Sequence, residues 1–172
     1  MRLMFLDAPL RPPRSTITLV VLSSVWLAVL GNLALWKTLI ALPDLTGWHG
    51  VFFGIAFALM IGCVVAAVLS LFAWRFTLKP VITLLLLLAA FATHYMLMYG
   101  IVVDTPMLIN VLQTDAREAG DQLSWRLLVT VVGLAVIPGI WLWRQSVVTL
   151  PLNKQLLRNL GLFVASLTLA FG

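Results

Sequence analysis

A column of three polar residues is the feature of this sequence best suited to chemistry. Asn110, Thr114 and Glu118 recur at every fourth position within the polar stretch DTPMLINVLQTDAREAGDQLS, residues 104–124. An α-helix has about 3.6 residues per turn, so side chains four positions apart stack on one side and form a slightly slanted column. A carboxylate beside two hydrogen-bonding groups suits a cation, and the ammonium of a phosphatidylethanolamine headgroup is such a cation at a membrane surface.

Tyr99 lies a few residues before this stretch, where its ring could close one side of the same pocket. The spacing also fits a polar helix face that is wetted by water, so the pattern alone leaves both interpretations open. The candidate substrate-binding residues are Tyr99, Asn110, Thr114 and Glu118. The sequence contains no complete catalytic centre, and we assign no catalytic residue to it.

Metal binding has weaker support. Asp115, Glu118 and Asp121 are spaced three apart and offer oxygen ligands to a hard cation, but a solvated helix face explains them equally well. His49 and His94 lie far apart, without Cys or carboxylate at metal-ligand spacing. This argues against a zinc site in these residues and favours two interfacial polar side chains.

The polar column requires a helix that lies along the membrane surface. Thr105 followed by Pro106 is typical of an N-cap and a first helical position, and Gly120 is a typical stop. We therefore predict an interfacial amphipathic helix over about residues 105–119. Its apolar side, which should face the lipid, consists of Met107, Leu108, Val111 and Leu112.

The composition indicates an all-α integral membrane protein. Hydrophobic residues make up 62% of the chain and charged residues only 10%, and the mean hydropathy is +1.09. A soluble domain carries about 25% charged residues. Apolar runs of about 20 residues favour helical spans over the alternating strands of a barrel. We predict five transmembrane helices, with the interfacial helix between the third and fourth, over about residues 15–36, 50–74, 80–99, 125–143 and 160–172.

The fifth span is short. At about 1.5 Å per residue, the run from Leu160 to Gly172 reaches about 20 Å, less than the hydrocarbon core of about 30 Å. We therefore expect the chain to be the membrane part of a longer protein. Residues 144–159 are predicted to form a loop, and Ser124 to cap the fourth span. Pro138 should kink that span while a neighbouring helix satisfies the freed carbonyl.

Small and polar residues inside the spans predict packing rather than chemistry. Asn32, near the end of the first span, is interpreted as a satisfied polar group between helices. In the second span, small residues recur at every fourth position, which allows close helix packing in lipid. These residues are Gly50, Gly54, Ala58, Gly62 and Ala66.

The distribution of Lys and Arg predicts the orientation in the membrane. With the N-terminus in the cytoplasm, eight basic residues fall inside and only Lys37, Arg117 and Arg126 fall outside, as the positive-inside rule expects. The net charge of +5 is therefore a topology signal and implies no nucleic-acid partner. The interfacial helix and the C-terminal end should both lie on the outer side.

Residues 98–124, MYGIVVDTPMLINVLQTDAREAGDQLS, resemble the corresponding segment of the lipid A phosphoethanolamine transferases. This family includes the colistin-resistance enzymes of Gram-negative bacteria. The shared pattern is Tyr-Gly, then Asp, then Met, then Asn-x-x-x-Thr-x-x-x-Glu. The five-span layout and the basic N-terminus agree with it, so the likeness covers the whole chain as the N-terminal transmembrane domain of that family.

The resemblance implies a multi-pass protein of the bacterial inner membrane that moves phosphoethanolamine from phosphatidylethanolamine to lipid A and so gives polymyxin resistance. It implies that the residues matching Tyr99, Asn110, Thr114 and Glu118 bind lipid substrate. The nucleophile, the zinc ligands and the disulfides would belong to a periplasmic domain outside these residues. The expected partners are that domain, both substrate lipids and the surrounding membrane lipids, and this piece by itself should be inactive.

A non-enzymatic membrane module is the alternative, either an assembly scaffold or a small transporter. A transporter should place ionisable residues near the middle of its spans. The span interiors here are nearly free of such residues, which argues against ion or proton coupling.

Overall fold

The computed structural model describes residues 14–45, 47–100, 124–148 and 150–172. In these ranges the secondary structure is helical, apart from an isolated bridge between Arg14 and Val147. The helices are α1 Thr16–Val29, α2 Leu33–Ile40, α3 Gly47–Leu71, α4 Leu78–Tyr99, α5 Trp125–Val131, α6 Ile137–Trp143 and α7 Leu152–Phe171.

Four helical stretches in the described residues are long and apolar enough to cross a membrane. They confirm the prediction of an all-helical, multi-pass membrane protein. Helix α7 does not reach the same hydropathy, because its first two turns are rich in polar residues. The fifth span therefore stays a prediction. The four stretches are Thr16–Ile40, Gly47–Leu71, Leu78–Met98 and Trp125–Trp143.

The first stretch continues to Ile40, four residues beyond the predicted end, through a 3₁₀ turn at Leu30–Asn32. A break of this kind leaves backbone carbonyls without helical partners. Side chains supply the missing donors. Asn32 is satisfied, but by a carbonyl of its own helical stretch and not between helices as predicted. The bonds run from Asn32 Nδ2 to the Leu27 carbonyl (2.8 Å), from Trp36 Nε1 to that of Ala28 (3.0 Å) and from Thr93 Oγ1 of α4 to that of Gly31 (2.8 Å).

The fourth stretch contains a π-helical segment, Val132–Val136, which ends two residues before Pro138. Proline has no N–H, so the carbonyl four residues earlier, that of Leu134, loses its helical donor. The indole Nε1 of Trp26 in α1 donates to this carbonyl at 3.2 Å. A neighbouring helix thus satisfies the freed group, as the sequence predicted.

Helix α7 begins at Leu152, so the predicted loop over residues 144–159 is wrong for its second half. Two polar residues of that half face the protein: Gln155 and Asn159 are buried, and both donate to the carbonyl of Ala73. Its apolar side chains point away from the bundle, which is the arrangement expected of a helix in contact with lipid. Those exposed residues include Leu152, Leu156, Leu157, Leu160, Val164 and Leu169.

Helix α3 packs against α1 and α7. Helix α4 packs against α5, the π-helical segment and α6. The predicted small-residue face of α3 is confirmed only in part. Ala66 is buried, and a Cβ added at Gly62 would lie 3.7 Å from Ala28 of α1, whereas one at Gly54 would meet nothing within 4 Å. Gly50 has a different role, because a Cβ there would lie 2.0 Å from the carbonyl oxygen of Leu45.

The bundle has two chemically distinct ends. The basic end comprises residues 14–16, 73–79, 143–147 and 154–158, which hydrogen bonds such as that from Lys79 to the Gln145 carbonyl hold together. The Gly100 end comprises residues 31–45, 93–100 and 124–126, where Met98 meets Arg126. Each of the four membrane-crossing stretches runs from one end to the other.

Candidate functional site

The predicted polar column lies outside the described residues. This applies to Asn110, Thr114 and Glu118 and to the predicted interfacial helix, whereas Tyr99 is the last residue of α4 and only its backbone is described. The four assignments therefore stay predictions. What the structure does give is the position of both ends of segment 101–123 and the surface beside them.

The first end is a left-handed turn at Gly100. This residue has φ 65° and ψ 16°, and its N–H donates to the carbonyl of Met96 at 3.0 Å. A residue with a side chain rarely adopts this conformation, whereas glycine adopts it without strain. Gly100 therefore ends α4 sharply.

The second end is the N-cap of α5. Ser124 has extended backbone angles, φ −87° and ψ 152°, and its Oγ accepts a hydrogen bond from the N–H of Leu127 at 3.2 Å. The predicted capping role of Ser124 is confirmed. The helix begins at Trp125, whose side chain is largely exposed, as is common for tryptophan at the headgroup level of a membrane.

The two ends lie next to each other in space. The guanidinium Nη1 of Arg126 lies 3.8 Å from Sδ of Met98, a weak contact between the first turn of α5 and the last turn of α4. Gly100 and Ser124, the two residues that flank segment 101–123, therefore lie at the same end of the bundle. By sequence, this segment contains four of the six acidic residues of the chain.

A pocket with a cation on its wall adjoins this exit point. It has a volume of about 310 Å³ and lies between α2 and the end of α4. Lys37 is exposed on one side, and Gly100 forms part of the other. An ammonium at a membrane surface can bind a phosphate oxygen. The lining residues are Ala34, Lys37, Thr38, Ala41, Met96, Leu97 and Gly100.

The fold holds Lys37 at this wall through its neighbour Trp36. The indole Nε1 of Trp36 donates to the Ala28 carbonyl, and its ring packs edge-on against Phe57 of α3 at 6.1 Å between centroids. The spacing of polar residues in the sequence does not reveal Lys37. The available signal was its position as one of only three basic residues predicted on the outer side.

His94 is also near this end, one and a half turns before Gly100. It is buried, with 5% of its surface exposed, and its ring packs edge-on against Tyr95 at 5.5 Å between centroids. His94 therefore faces the other helices, and its predicted place at the membrane interface stays a prediction. His49 is exposed near the start of α3.

Within the described ranges, no three His, Cys, Asp or Glu side chains lie close enough together to share a metal ion. These residues therefore do not fit a zinc site. The expected zinc was assigned to a periplasmic domain and stays a prediction. What the arrangement at the Gly100 end can do is bind an anionic group beside the segment that carries the predicted carboxylate.

Comparisons with known proteins point to one family. The sequence pattern of the phosphoethanolamine transferase EptA/EptB family matches residues 61–172. Phosphatidylethanolamine transferase Mcr-1 of Escherichia coli is 38% identical over 110 residues, which are 64% of this chain and 20% of that protein. Phosphoethanolamine transferase EptA of Escherichia coli strain K12 is 24% identical over 160 residues, or 91% of this chain and 29% of that protein.

A solved structure shares the fold. The integral membrane lipooligosaccharide phosphoethanolamine transferase A (EptA) from Neisseria meningitidis superposes with a TM-score of 0.77 at 24% identity, over 89% of this chain and 29% of that one. The architecture is thus that of a phosphoethanolamine transferase membrane domain. The chain belongs to the phosphoethanolamine transferase EptA/EptB family, as the resemblance predicted, and it spans less than a third of the length of these relatives.

Proposed function

We propose that this chain is the membrane domain of a transferase that moves phosphoethanolamine from phosphatidylethanolamine to lipid A. The observation that carries the proposal is the family match over residues 61–172, which includes segment 101–123 and both of its ends. Relatives named phosphatidylethanolamine transferase and phosphoethanolamine transferase support the donor and the transferred group. The acceptor lipid and the resulting colistin resistance rest on the resemblance of residues 98–124.

The role that we assign to this domain is to hold the donor headgroup at the Gly100 end. Phosphatidylethanolamine carries a phosphate and an ammonium, so its site needs a cation and an anion a few ångströms apart. Lys37 would bind the phosphate, because it lines the pocket beside Gly100. Glu118, with Asn110 and Thr114, would bind the ammonium, and Tyr99 would close one side.

In this proposal, the covalent step takes place in a periplasmic domain, where a zinc ion would activate the nucleophile. The role of the present domain would be to position the lipid without reacting with it. Such a piece would be inactive alone. The protein would lie in the bacterial inner membrane with its N-terminus in the cytoplasm, so that the Gly100 end faces the periplasm.

The test is a substitution that removes the charge of Glu118 in the full-length protein. Glu118→Gln keeps the size of the side chain but removes the charge that would bind the ammonium, so we expect about a tenfold or greater loss of lipid A modification with an unchanged protein level. Mass spectrometry of lipid A from expressing cells measures the modification. Asp121→Asn is the matched control, because it removes an acid of the same segment that is outside the column.

Two outcomes would count against the proposal in different ways. If Glu118→Gln modifies lipid A as well as the wild type, Glu118 is not part of the site. If the wild-type protein itself leaves lipid A unmodified, the transferase function is wrong and the scaffold alternative gains support.

A further inference from the structure

A second pocket lies at the basic end, at the opposite end of the bundle from Gly100. It has a volume of about 470 Å³ and lies between the turn that joins α3 to α4 and the residues that follow α6. Two cations and two aromatic rings line it together with backbone and small polar groups. The lining residues are Arg75, Phe76, Lys79, Pro80, Trp143, Gln145, Ser146 and Val147.

The fold fixes the position of Lys79 in this pocket. Its Nζ donates to the carbonyl of Gln145 at 2.7 Å and to that of Trp143 at 3.3 Å, and it lies 5.6 Å from the centroid of the Trp143 ring. An ammonium has three N–H donors. Among the described residues, these bonds use two of them and leave one for an oxygen from outside the chain.

The aromatic rings place the pocket at the depth of lipid headgroups. The Trp143 indole Nε1 donates to Thr83 Oγ1 at 3.0 Å, so the ring is held at the edge of the bundle, where tryptophan collects in membrane proteins. Phe76 has 81% of its surface exposed, and the Arg75 guanidinium lies 5.4 Å from the centroid of its ring. Exposed rings beside cations suit a site whose ligand has both an anionic and an apolar part.

No acidic residue competes for these cations nearby in the sequence. The stretches 72–79 and 141–159, which form the pocket and its surroundings, contain no Asp or Glu. Further into the span, α1, α4 and α6 enclose an apolar cavity of about 360 Å³, with Ile82 and Leu86 of α4 on its wall. These residues lie one and two turns beyond Lys79.

We propose that the basic end binds the headgroup phosphate of an anionic phospholipid, with Arg75 and Lys79 as its ligands. The net positive charge selects an anionic lipid over a zwitterionic one, and clusters of this kind on the cytoplasmic side of membrane helices are suited to cardiolipin and related lipids. The site is separate from the donor site at the Gly100 end, and it stands whether or not the proposed transfer reaction is correct.

Native mass spectrometry of the detergent-solubilised protein, titrated with cardiolipin, phosphatidylglycerol or phosphatidylethanolamine, tests this site. We expect Arg75→Gln to weaken cardiolipin and phosphatidylglycerol binding about fivefold, since one cation near a membrane surface contributes about that factor. Binding of phosphatidylethanolamine should not change. Lys154→Gln is the matched control, because it removes an exposed cation of the same end that does not line the pocket.

Two results would overturn the proposal. Equal loss of binding in Arg75→Gln and Lys154→Gln would mean that the charge of the whole end attracts the lipid and that the pocket is not a site. Displacement of the lipid by millimolar inorganic phosphate would mean that the pocket recognises a soluble anion. A thermal unfolding curve for each variant separates loss of binding from loss of the fold.

Discussion

At the basic end, side chains from α4 and α7 donate to backbone carbonyls or a hydroxyl in other parts of the bundle. The described part of the Gly100 end has fewer such bonds. Lys79 reaches the residues after α6, Gln155 reaches Ala73, and Arg158 donates to Ser15 before α1. At the other end, Thr93 bonds to Gly31, and Arg126 makes only a weak contact with Met98. The basic end is thus held by its own polar groups, and the Gly100 end leaves Lys37 exposed to bind something else.

This difference follows from the balance of donors and acceptors. A polar group within a membrane must be satisfied by protein, because lipid tails provide no partner. The three cross-links of the basic end use cations and amides as donors and carbonyls or a hydroxyl as acceptors, and none needs an acidic residue. The acidic residues are concentrated by sequence in segment 101–123, which begins and ends at the Gly100 end. The described residues of the basic end contain no Asp or Glu, whereas four of the six acidic residues of the chain fall, by sequence, between Gly100 and Ser124.

The contrast between the two ends requires that they face opposite sides of the membrane. In a Cys63→Ala background, which removes the only native thiol, Ser146→Cys marks the basic end and Trp48→Cys marks the start of α3 near the Gly100 end. A membrane-impermeant maleimide should label Trp48→Cys in spheroplasts and should label Ser146→Cys only after lysis. The expected effect is all or none, because the two positions are on opposite sides. The reverse labelling pattern would refute the proposed orientation.

The largest expected change in stability comes from Gln155→Leu at the basic end. The Gln155 Nε2 lies 2.7 Å from the Ala73 carbonyl and 2.9 Å from Asn159 Oδ1, and the residue is buried. Its removal weakens the hydrogen bonding of both acceptors, so we expect a loss of about 2 kcal/mol in the free energy of unfolding. Denaturation in detergent micelles measures it. Lys154→Leu, at the exposed neighbouring position, should change stability far less, and equal effects of the two variants would contradict the description of the basic end.

A smaller effect is expected at the Gly100 end from Lys37→Gln. Lys37 lines the pocket and is exposed, so the substitution should weaken binding of phosphatidylethanolamine about fivefold without lowering stability. Titration with this lipid under native mass spectrometry measures the change, and Arg75→Gln is the control at the opposite end. If Arg75→Gln reduces phosphatidylethanolamine binding as much as Lys37→Gln does, the two ends do not differ in the lipid that they prefer.

The prediction from sequence succeeded where a local rule decides the structure. Ser124 followed by an apolar run predicts an N-cap, and the bond to the Leu127 N–H confirms it. Hydropathy placed four spans, because a membrane-crossing helix needs about 20 apolar residues whatever its neighbours are. The prediction from hydropathy failed at residues 152–159, which form part of α7 and not a loop. Gln155 and Asn159 are tolerated in this helix because both donate to the carbonyl of Ala73.

For the candidate site, the sequence selected polar residues by their spacing along one segment, and this rule cannot find partners that come from elsewhere in the chain. Lys37 was missed for that reason, since it lies more than sixty residues before Gly100 and meets it only through the packing of α2 on α4. The burial of His94 was missed for a similar reason, because a position near the end of a span does not reveal which side faces other helices.

The sequence by itself determined that this is a multi-pass helical membrane protein, which way its charges are distributed, and which family it resembles, because hydropathy, charge and motif are properties of local stretches of chain. Only the tertiary structure decided where α7 begins and that Trp26 satisfies the carbonyl freed by Pro138. It also decided that Lys37 adjoins Gly100, and that Arg75 and Lys79 share a pocket at the other end. Each of these depends on groups far apart in sequence, and their contact is fixed only when the helices pack.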